Sequence, residues 1–312
     1  MAKRPAPSKF TGPALDTVAE LRALREENNL LHGQIQRMSV AKPFKPVKIV
    51  KRTGKDDTLT VFMPDSHGKY SDPVAMSLFL EDVKKLDPDE LILLGDFADC
   101  GGFMAAHHVL GYVAQMEYTY EDDIAICNSQ LDILCANAPH AKKKFIEGNH
   151  EDRVERWCVN QALANHKDAE YLRKAFAPQY LLDLKGRGIP YYRRCVKYDG
   201  LSIPGAILHG KTLVTHDPGF SDPRRTLARF GMSVIHGHDH ASHALVTSTV
   251  ANGDIGVWGF GCLAIQQQMY AHSRPTGHSN GYGIKLQSRS GHFLIVSIPI
   301  IDGVSYLGRL FK

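Results

Sequence analysis

Five short polar clusters, each directly after an apolar run, constrain this chain more than any other feature. They are Asp65-Ser66-His67, Gly95-Asp96, Gly148-Asn149-His150-Glu151, Thr215-His216-Asp217 and Gly237-His238-Asp239-His240. Polar tips on strand ends are where an α/β sheet builds a site. These tips are rich in Asp, Asn and His, whose oxygen and imidazole donors suit borderline transition metals. The set is large enough to hold two metal ions and to leave one histidine for acid catalysis. A hydrolase of phosphate esters is the function such a set points to.

Composition sets the outer bounds. The 312 residues are 43% hydrophobic and 22% charged, enough apolar mass for a sizeable core and against global disorder. The formal net charge of +4 is too mild to imply nucleic acid by itself. Cys100, Cys127, Cys135, Cys158, Cys195 and Cys262 form no CxxC pair and no disulfide framework. Such scattered cysteines suggest reduced core residues and a cytoplasmic setting. The basic start MAKRPAPSKFTGP lacks an apolar core segment, so no signal peptide is expected. No apolar run reaches ~18 residues, so no membrane span is expected.

Three segments are expected along the chain: a loose arm and helix over 1–41, a basic linker over 42–57, and a catalytic domain over 58–312. In the stretch 14–39, Ala14, Leu21 and Ile35 share one heptad track with Asn28, and Leu24, Leu31 and Met38 share the other. Leucines on one track with one Asn on the other suit a short dimeric coiled coil, which would make the chain a homo-oligomer. An amphipathic helix packed on its own domain is the alternative. Residues 42–55 carry six Lys or Arg and no acid. That run is either a solvated tether or a contact for an anionic polymer.

Beyond residue 57 strand and helix alternate. Strands are expected over 58–65, 90–96, 141–149, 189–196, 205–216 and 233–238, with helices over 74–86, 121–136 and 151–163. After residue 243 the pattern turns β-rich, with strands over 244–250, 256–264, 293–300 and 304–310. The order implies two packed sheets with helices outside. The Gly- and His-containing stretch 270–283 reads as a long loop, either functional or a plain hairpin connection.

Asp65 and His67 stand two residues apart, and so do His238 and His240. In an extended segment that spacing sends both side chains to one face. Asp96 has two carboxylate oxygens and can bridge two cations. His150 is placed to donate a proton, with Glu151 or Asp152 orienting it. Arg153 either steadies phosphate oxygens or pairs with Asp152 or Glu155. His209 is a rival to His216, which is preferred because it ends an apolar strand before the turn Asp217-Pro218-Gly219. His107, His108 and His236 read as packing or surface residues that can also line a cleft.

In their order, DxH, GD, GNHE, H and GHxH, the clusters resemble the calcineurin-like metallophosphoesterase superfamily, in particular its small phage and bacterial members. The resemblance spans about residues 58–245, with the β-rich tail similar in general character. It implies an α/β fold arranged as a four-layer α/β/β/α sandwich, with two divalent metal ions at the strand ends. Mn2+ suits such a site best, with Fe2+, Zn2+ or Ni2+ as alternatives. By the resemblance, Asp65, His67 and His240 hold one ion, Asn149, His216 and His238 hold the other, and Asp96 bridges them. Asp99 matches a further acidic position. A metal-bridging hydroxide then attacks phosphorus, with His150 as proton donor.

The arginine-rich blocks of protein Ser/Thr phosphatases are missing, since GD is followed by FADCGG and GNHE by DRVERW. That argues against a phosphoprotein substrate. The basic linker and coiled coil lean instead toward phosphodiesters, nucleotides or nucleic acid. The rival is a non-catalytic scaffold on the same fold, oligomerised by residues 14–39.

Overall fold

The computed structural model describes residues 57–104, 118–162, 166–250, 252–266 and 276–310. These all belong to one compact unit, Ile49–Lys312. The expected arm, coiled coil and most of the linker lie outside the described residues, as do His107 and His108.

Two mixed sheets form the body. The first has seven strands, in order β12-β11-β10-β1-β2-β3-β4. They are β1 (Thr58–Met63), β2 (Glu90–Leu93), β3 (Lys142–Ile146), β4 (Tyr191–Tyr192), β10 (Gly281–Gln287), β11 (Phe293–Ile301) and β12 (Val304–Ser305). The run β1-β2-β3-β4 is parallel, while β10, β11 and β12 pair antiparallel. The second sheet has order β5-β6-β7-β9-β8. Its strands are β5 (Ala206–His209), β6 (Thr212–Thr215), β7 (Ser233–His236), β8 (Ser242–Thr249) and β9 (Gly253–Phe260). Strands β6, β7 and β9 run parallel, with β5 and β8 antiparallel at the edges.

Three apolar layers hold these sheets. Alternate residues of β1 and β2 face opposite sides, as the strand period requires. Val61, Met63, Leu91 and Leu93 pack under the helices α1 (Pro73–Leu86), α2 (Tyr120–Asn137) and α3 (Asn149–Gln161). Phe62, Ile92 and Leu94 turn the other way, onto Ile207, Val214, Ile235 and Phe260 of the second sheet. Burial of each such side chain contributes ~1.5–3 kcal/mol. On the outer face of the second sheet, Leu213, Val234 and Val257 pack against Leu227 and Phe230 of α6 (Pro223–Phe230). The short helices α4 (His166–Phe176) and α5 (Pro178–Leu181) precede β4, and α7 (Leu307–Leu310) follows β12.

Local chemistry fixes the helix starts. Asp72 caps α1 by accepting from the Val74 and Ala75 amides, with Pro73 in the first turn. Thr119 and Asp122 form a capping box on α2.

Several expectations are corrected. The strand expected over 205–216 is a hairpin, β5 and β6, because Gly210 turns the chain at φ +63°. Only Tyr191 and Tyr192 of the strand expected over 189–196 pair with the sheet. In the stretch 304–310, two strand residues give way to α7. Gly281–Gly283, placed in a loop by sequence, starts β10, which lies between β1 and β11.

Candidate metal centre

Strands β1, β2 and β3 are parallel, and β6 and β7 are parallel, so the loops after all five emerge at carboxyl ends. The five polar clusters lie at those ends, four at strand-to-loop junctions and the Asn149-His150-Glu151 group in the first turn of α3. They approach closely because of two glycines. Gly95 takes φ +99°, and a Cβ there would lie 2.7 Å from the Gly148 backbone. A Cβ on Gly148 would lie 2.1 Å from the Asp96 amide nitrogen. Only residues without side chains let the two loops touch.

Glu151 then ties them together. Its Oε2 accepts from the amides of Asp96 (3.0 Å) and Gly148 (2.9 Å), and its Oε1 from those of Phe97 (2.8 Å) and Ala98 (3.0 Å). The carboxylate that sequence reasoning placed beside His150 is therefore a backbone clamp. Asp99 orients His150 instead: its carbonyl oxygen accepts from His150 Nδ1 at 2.7 Å, and its carboxylate stands 3.4 Å from the same atom.

The donors gather in two overlapping groups. In one, His67 Nε2 and His240 Nε2 are 3.0 Å apart, with Asp65 Oδ1 3.7 Å from His240. In the other, His216 Nε2 lies 2.9 Å from Asn149 Oδ1 and 3.2 Å from Asp96 Oδ2, with His238 completing the group. Asp96 Oδ2 also stands 4.0 Å from His67 Nε2 and 3.8 Å from His150 Nε2, between the groups. Asp65, His67, Asp96, His150, His216 and His240 are buried, whereas the His238 side chain is 42% exposed.

The spacing argument for one-faced pairs does not hold. Strand β1 stops at Met63, and His67 sits in the left-handed region at φ 53°. Asp96, His238 and His240 do the same at φ 47°, 75° and 55°. Backbone held there by residues other than glycine is strained, a feature concentrated at functional sites. The turn after β7 sends His238 toward His216 and Asp217, and His240 toward Asp65 and His67. The pair thus serves two groups, not one.

The donor chemistry fits divalent cations. His67 Nδ1 donates to Asp99 Oδ1 (3.0 Å), and His216 Nδ1 donates to the Leu94 carbonyl (2.8 Å). Both rings therefore aim Nε2 inward, the arrangement that outer hydrogen bonds impose on metal-binding imidazoles. Among the described residues, the buried His240 Nδ1 has no hydrogen-bond partner. Charge balance in the protein alone depends on the imidazoles. Burial would lower His67 and His216, yet Asp99 with Asp96 for the first, and Asp96 with Asp65 for the second, hold each at about 9. Burial, reinforced by Asp96, raises Asp65 to about 7. Burial pushes His150 down to about 4.

Arg153 is half-buried. Burial lowers its pKa, while Asp96 and Asp99 act on its charge from the site side. Of its expected surface partners, Asp152 pairs with Arg156 and Glu155 with Arg173 and Arg193. His209 stands elsewhere, at the far ends of β1 and β2. There it meets Glu90, Thr60 and the buried Lys285. His236 points to His243, not to the cluster.

Sequence reasoning gave no site role to Tyr118, Asp217, Arg194 or His278. Tyr118 donates its hydroxyl to Asp99. Asp217, taken as a turn residue, does accept from the Gly219 amide, but its other oxygen is 4.0 Å from His238 Nε2 and 3.4 Å from Arg194 Nη2. His278, in the stretch read as a loop, packs on His240 at 4.6 Å between ring centres. Of these, only the Asp-Pro-Gly turn gave a signal. A cleft of about 470 Å3 opens beside His238, between Asp217, Phe220 and Ser221 on one side and His236 and Asp239 on the other.

Fold and site together define a two-sheet α/β protein with buried His/Asp clusters at its strand ends that resemble a dinuclear metal site. No family model and no curated protein matches the chain. Solved structures do match. Vacuolar Protein Sorting 29 from Cryptosporidium parvum shares 11% identity at a TM-score of 0.41, over 80% of this chain and 95% of that one. A single mutant of Vps29 from Entamoeba histolytica shares 13% at 0.39, over 79% and 95%. YfcE, a phosphoesterase from E. coli, shares 15% at 0.33, over 78% and 100%. At these scores the site's own side chains carry the functional argument.

Proposed function

We propose that the chain is a two-metal-dependent phosphoesterase with the α/β/β/α layering of calcineurin-like metallophosphoesterases. One observation carries this: Asp96 lies within 4.0 Å of His67, His150 and His216, between two groups of His and Asp donors that are buried except for His238. Asp65, His67 and His240 would hold one divalent ion, Asn149, His216 and His238 the other, and Asp96 both. Mn2+ is the preferred ion. Bound there, the ions supply Lewis-acid stabilisation of phosphoryl oxygens and a nucleophile at neutral pH.

The chain's own residues supply the rest. With Nδ1 donated to the Asp99 carbonyl, His150 keeps Nε2 to take the proton given up by the attacking water, since burial leaves the free ring neutral, and to pass it to the leaving alkoxide. Tyr118 and His67 hold the Asp99 carboxylate in turn. Arg153, on the site side of α3, offers a forked cation to phosphate oxygens. The open flank at His238 and the 470 Å3 cleft leave room for a substituted phosphate. We read this, with the basic run over 42–55, as favouring phosphodiesters, nucleotides or nucleic acid. The 14–39 segment is proposed to pair two chains.

The test is hydrolysis of bis-p-nitrophenyl phosphate and p-nitrophenyl phosphate with Mn2+, comparing wild type with His150→Ala and Asp96→Asn. The proposal expects activity in wild type and its loss in both variants. Wild type as inert as both, on these esters and on DNA and RNA, would support the scaffold reading instead.

A further inference from the structure

Strand β9 runs between β7 and β8, and its Gly259 is the register partner of both His236 on β7 and His243 on β8. Residues opposite one another on paired strands share a face. The two imidazoles therefore stand on either side of a residue that has no side chain. A Cβ on Gly259 would lie 2.6 Å from His243 Cε1, so glycine is what admits the ring.

The rings meet with 5.0 Å between centres and 3.1 Å between their Nε2 atoms. His236 Nδ1 donates to the Gly237 carbonyl at 2.8 Å, which leaves its Nε2 as a lone pair aimed at His243. Asp239 brings Oδ2 to 3.5 Å from His243 Nδ1. One ligand atom from each of the three lies within 4.8 Å of the others. Through both Nε2 atoms, two imidazoles on one tetrahedral Zn2+ at ~2.1 Å would stand ~3.4 Å apart, close to the 3.1 Å seen here, and Asp239, which faces the other ring nitrogen of His243, would swing its carboxylate round to join them.

We propose that His236, Asp239 and His243 form a third cation site, for a borderline transition metal such as Zn2+. None of the three belongs to the donors around Asp96, so the site does not rest on the phosphoesterase reading. Two imidazoles and a carboxylate are a ligand set that leaves Zn2+ one open position. An ion here would pin Asp239 between His238 and His240, and so fix the turn that delivers both to the neighbouring cluster. It would also border the cleft that His236 and Asp239 line.

The test uses the full chain, stripped with chelator, equilibrated with Zn2+, dialysed and counted by mass spectrometry. His243→Gln is the main variant, since its amide still donates to His236 Nε2 but ligates poorly. Asp239→Asn is the second variant, and near-ultraviolet circular dichroism checks the fold of both. Wild type is expected to hold one equivalent more than either variant, whatever its total. Co2+ substitution should show one set of d–d bands missing in both. Equal counts in wild type and both variants would overturn the proposal and leave an ordinary N–H···N bond between the rings. A loss of more than one equivalent would overturn the site's independence. Failure of the dinuclear reading looks different: Asp96→Asn would then leave the count unchanged while the one-equivalent difference persists.

Discussion

Glu151→Gln is the most informative single change. The carboxylate accepts four backbone amides, two per oxygen, from the loops that carry Asp96 and Asn149. Glutamine keeps one acceptor oxygen and turns an NH2 group toward the other two amides. Two buried N–H donors lose their acceptor, at ~1–3 kcal/mol each. Removing the negative charge beside Asp96 returns part of that, because the two carboxylates repel each other. The net expectation is a loss of about 3 kcal/mol, a large share of a domain's ~5–15 kcal/mol. The assay is urea unfolding of the chelator-treated chain, followed by far-ultraviolet circular dichroism. Metal affinity should fall as well, since the clamp sets where Asp96 stands. A change below ~1 kcal/mol with unaltered metal affinity would refute the clamp.

Further outcomes follow from the same geometry. His150→Ala should lower kcat on alkyl phosphate esters by ~10²–10⁴-fold with metal content unchanged; an unchanged kcat would remove it from proton transfer. Gly148→Ala forces a Cβ to 2.1 Å from the Asp96 amide, so it should cost at least ~2 kcal/mol in urea unfolding and abolish tight metal binding. Lys285 is buried between the sheets, and burial lowers it from 10.5 to about 8. The unfolded chain holds that proton more tightly, so this group's contribution to stability rises as pH climbs from 8 to 10.5, by about 2 kcal/mol after allowance for solvent screening. Lys285→Met should abolish that slope in unfolding experiments across the window. Removing residues 1–40 should lower the mass seen by light scattering, and an unchanged mass would reject the coiled coil.

The parts of the fold legible in the sequence were those where burial is strong and periodic. Strands β1, β2 and β7 are buried, largely apolar runs with polar ends, β3 ends on the buried Phe145 and Ile146, and α1 shows buried residues at helical spacing. Weak apolar signals hid the rest. Strand β10 opens Gly-Tyr-Gly, and a Cβ on Gly283 would lie 2.2 Å from the Phe260 ring, so the packing that selects it removes the alternation that would reveal it. Helix α6 has eight residues and three arginines, and its clear sign was a local one, Asp222 before Pro223. Helix α4 carries Lys167, Asp168, Glu170, Arg173 and Lys174 among its eleven residues, which masks its apolar side.

At the site, residue types were legible but geometry was not. His216 could be preferred over His209 from its place after an apolar strand, and it does lie beside Asp96 while His209 meets Glu90. The left-handed turns at His67, His238 and His240 depend on tertiary approach, so a pleat argument applied to the same residues gave the wrong route. The orienting role expected of Glu151 or Asp152 falls to Asp99 for a similar reason. Which carboxylate reaches His150 depends on the Gly95–Gly148 contact between distant segments.

The central claim is that two cations share the Asp96 carboxylate. Anomalous diffraction from crystals of the full chain soaked in Mn2+ tests it directly. Two peaks are expected, one among Asp65, His67 and His240 and one among Asn149, His216 and His238, with Asp96 touching both. No peak within ligand distance of Asp96, or a single ion that leaves His216 and Asn149 uncoordinated, would contradict it.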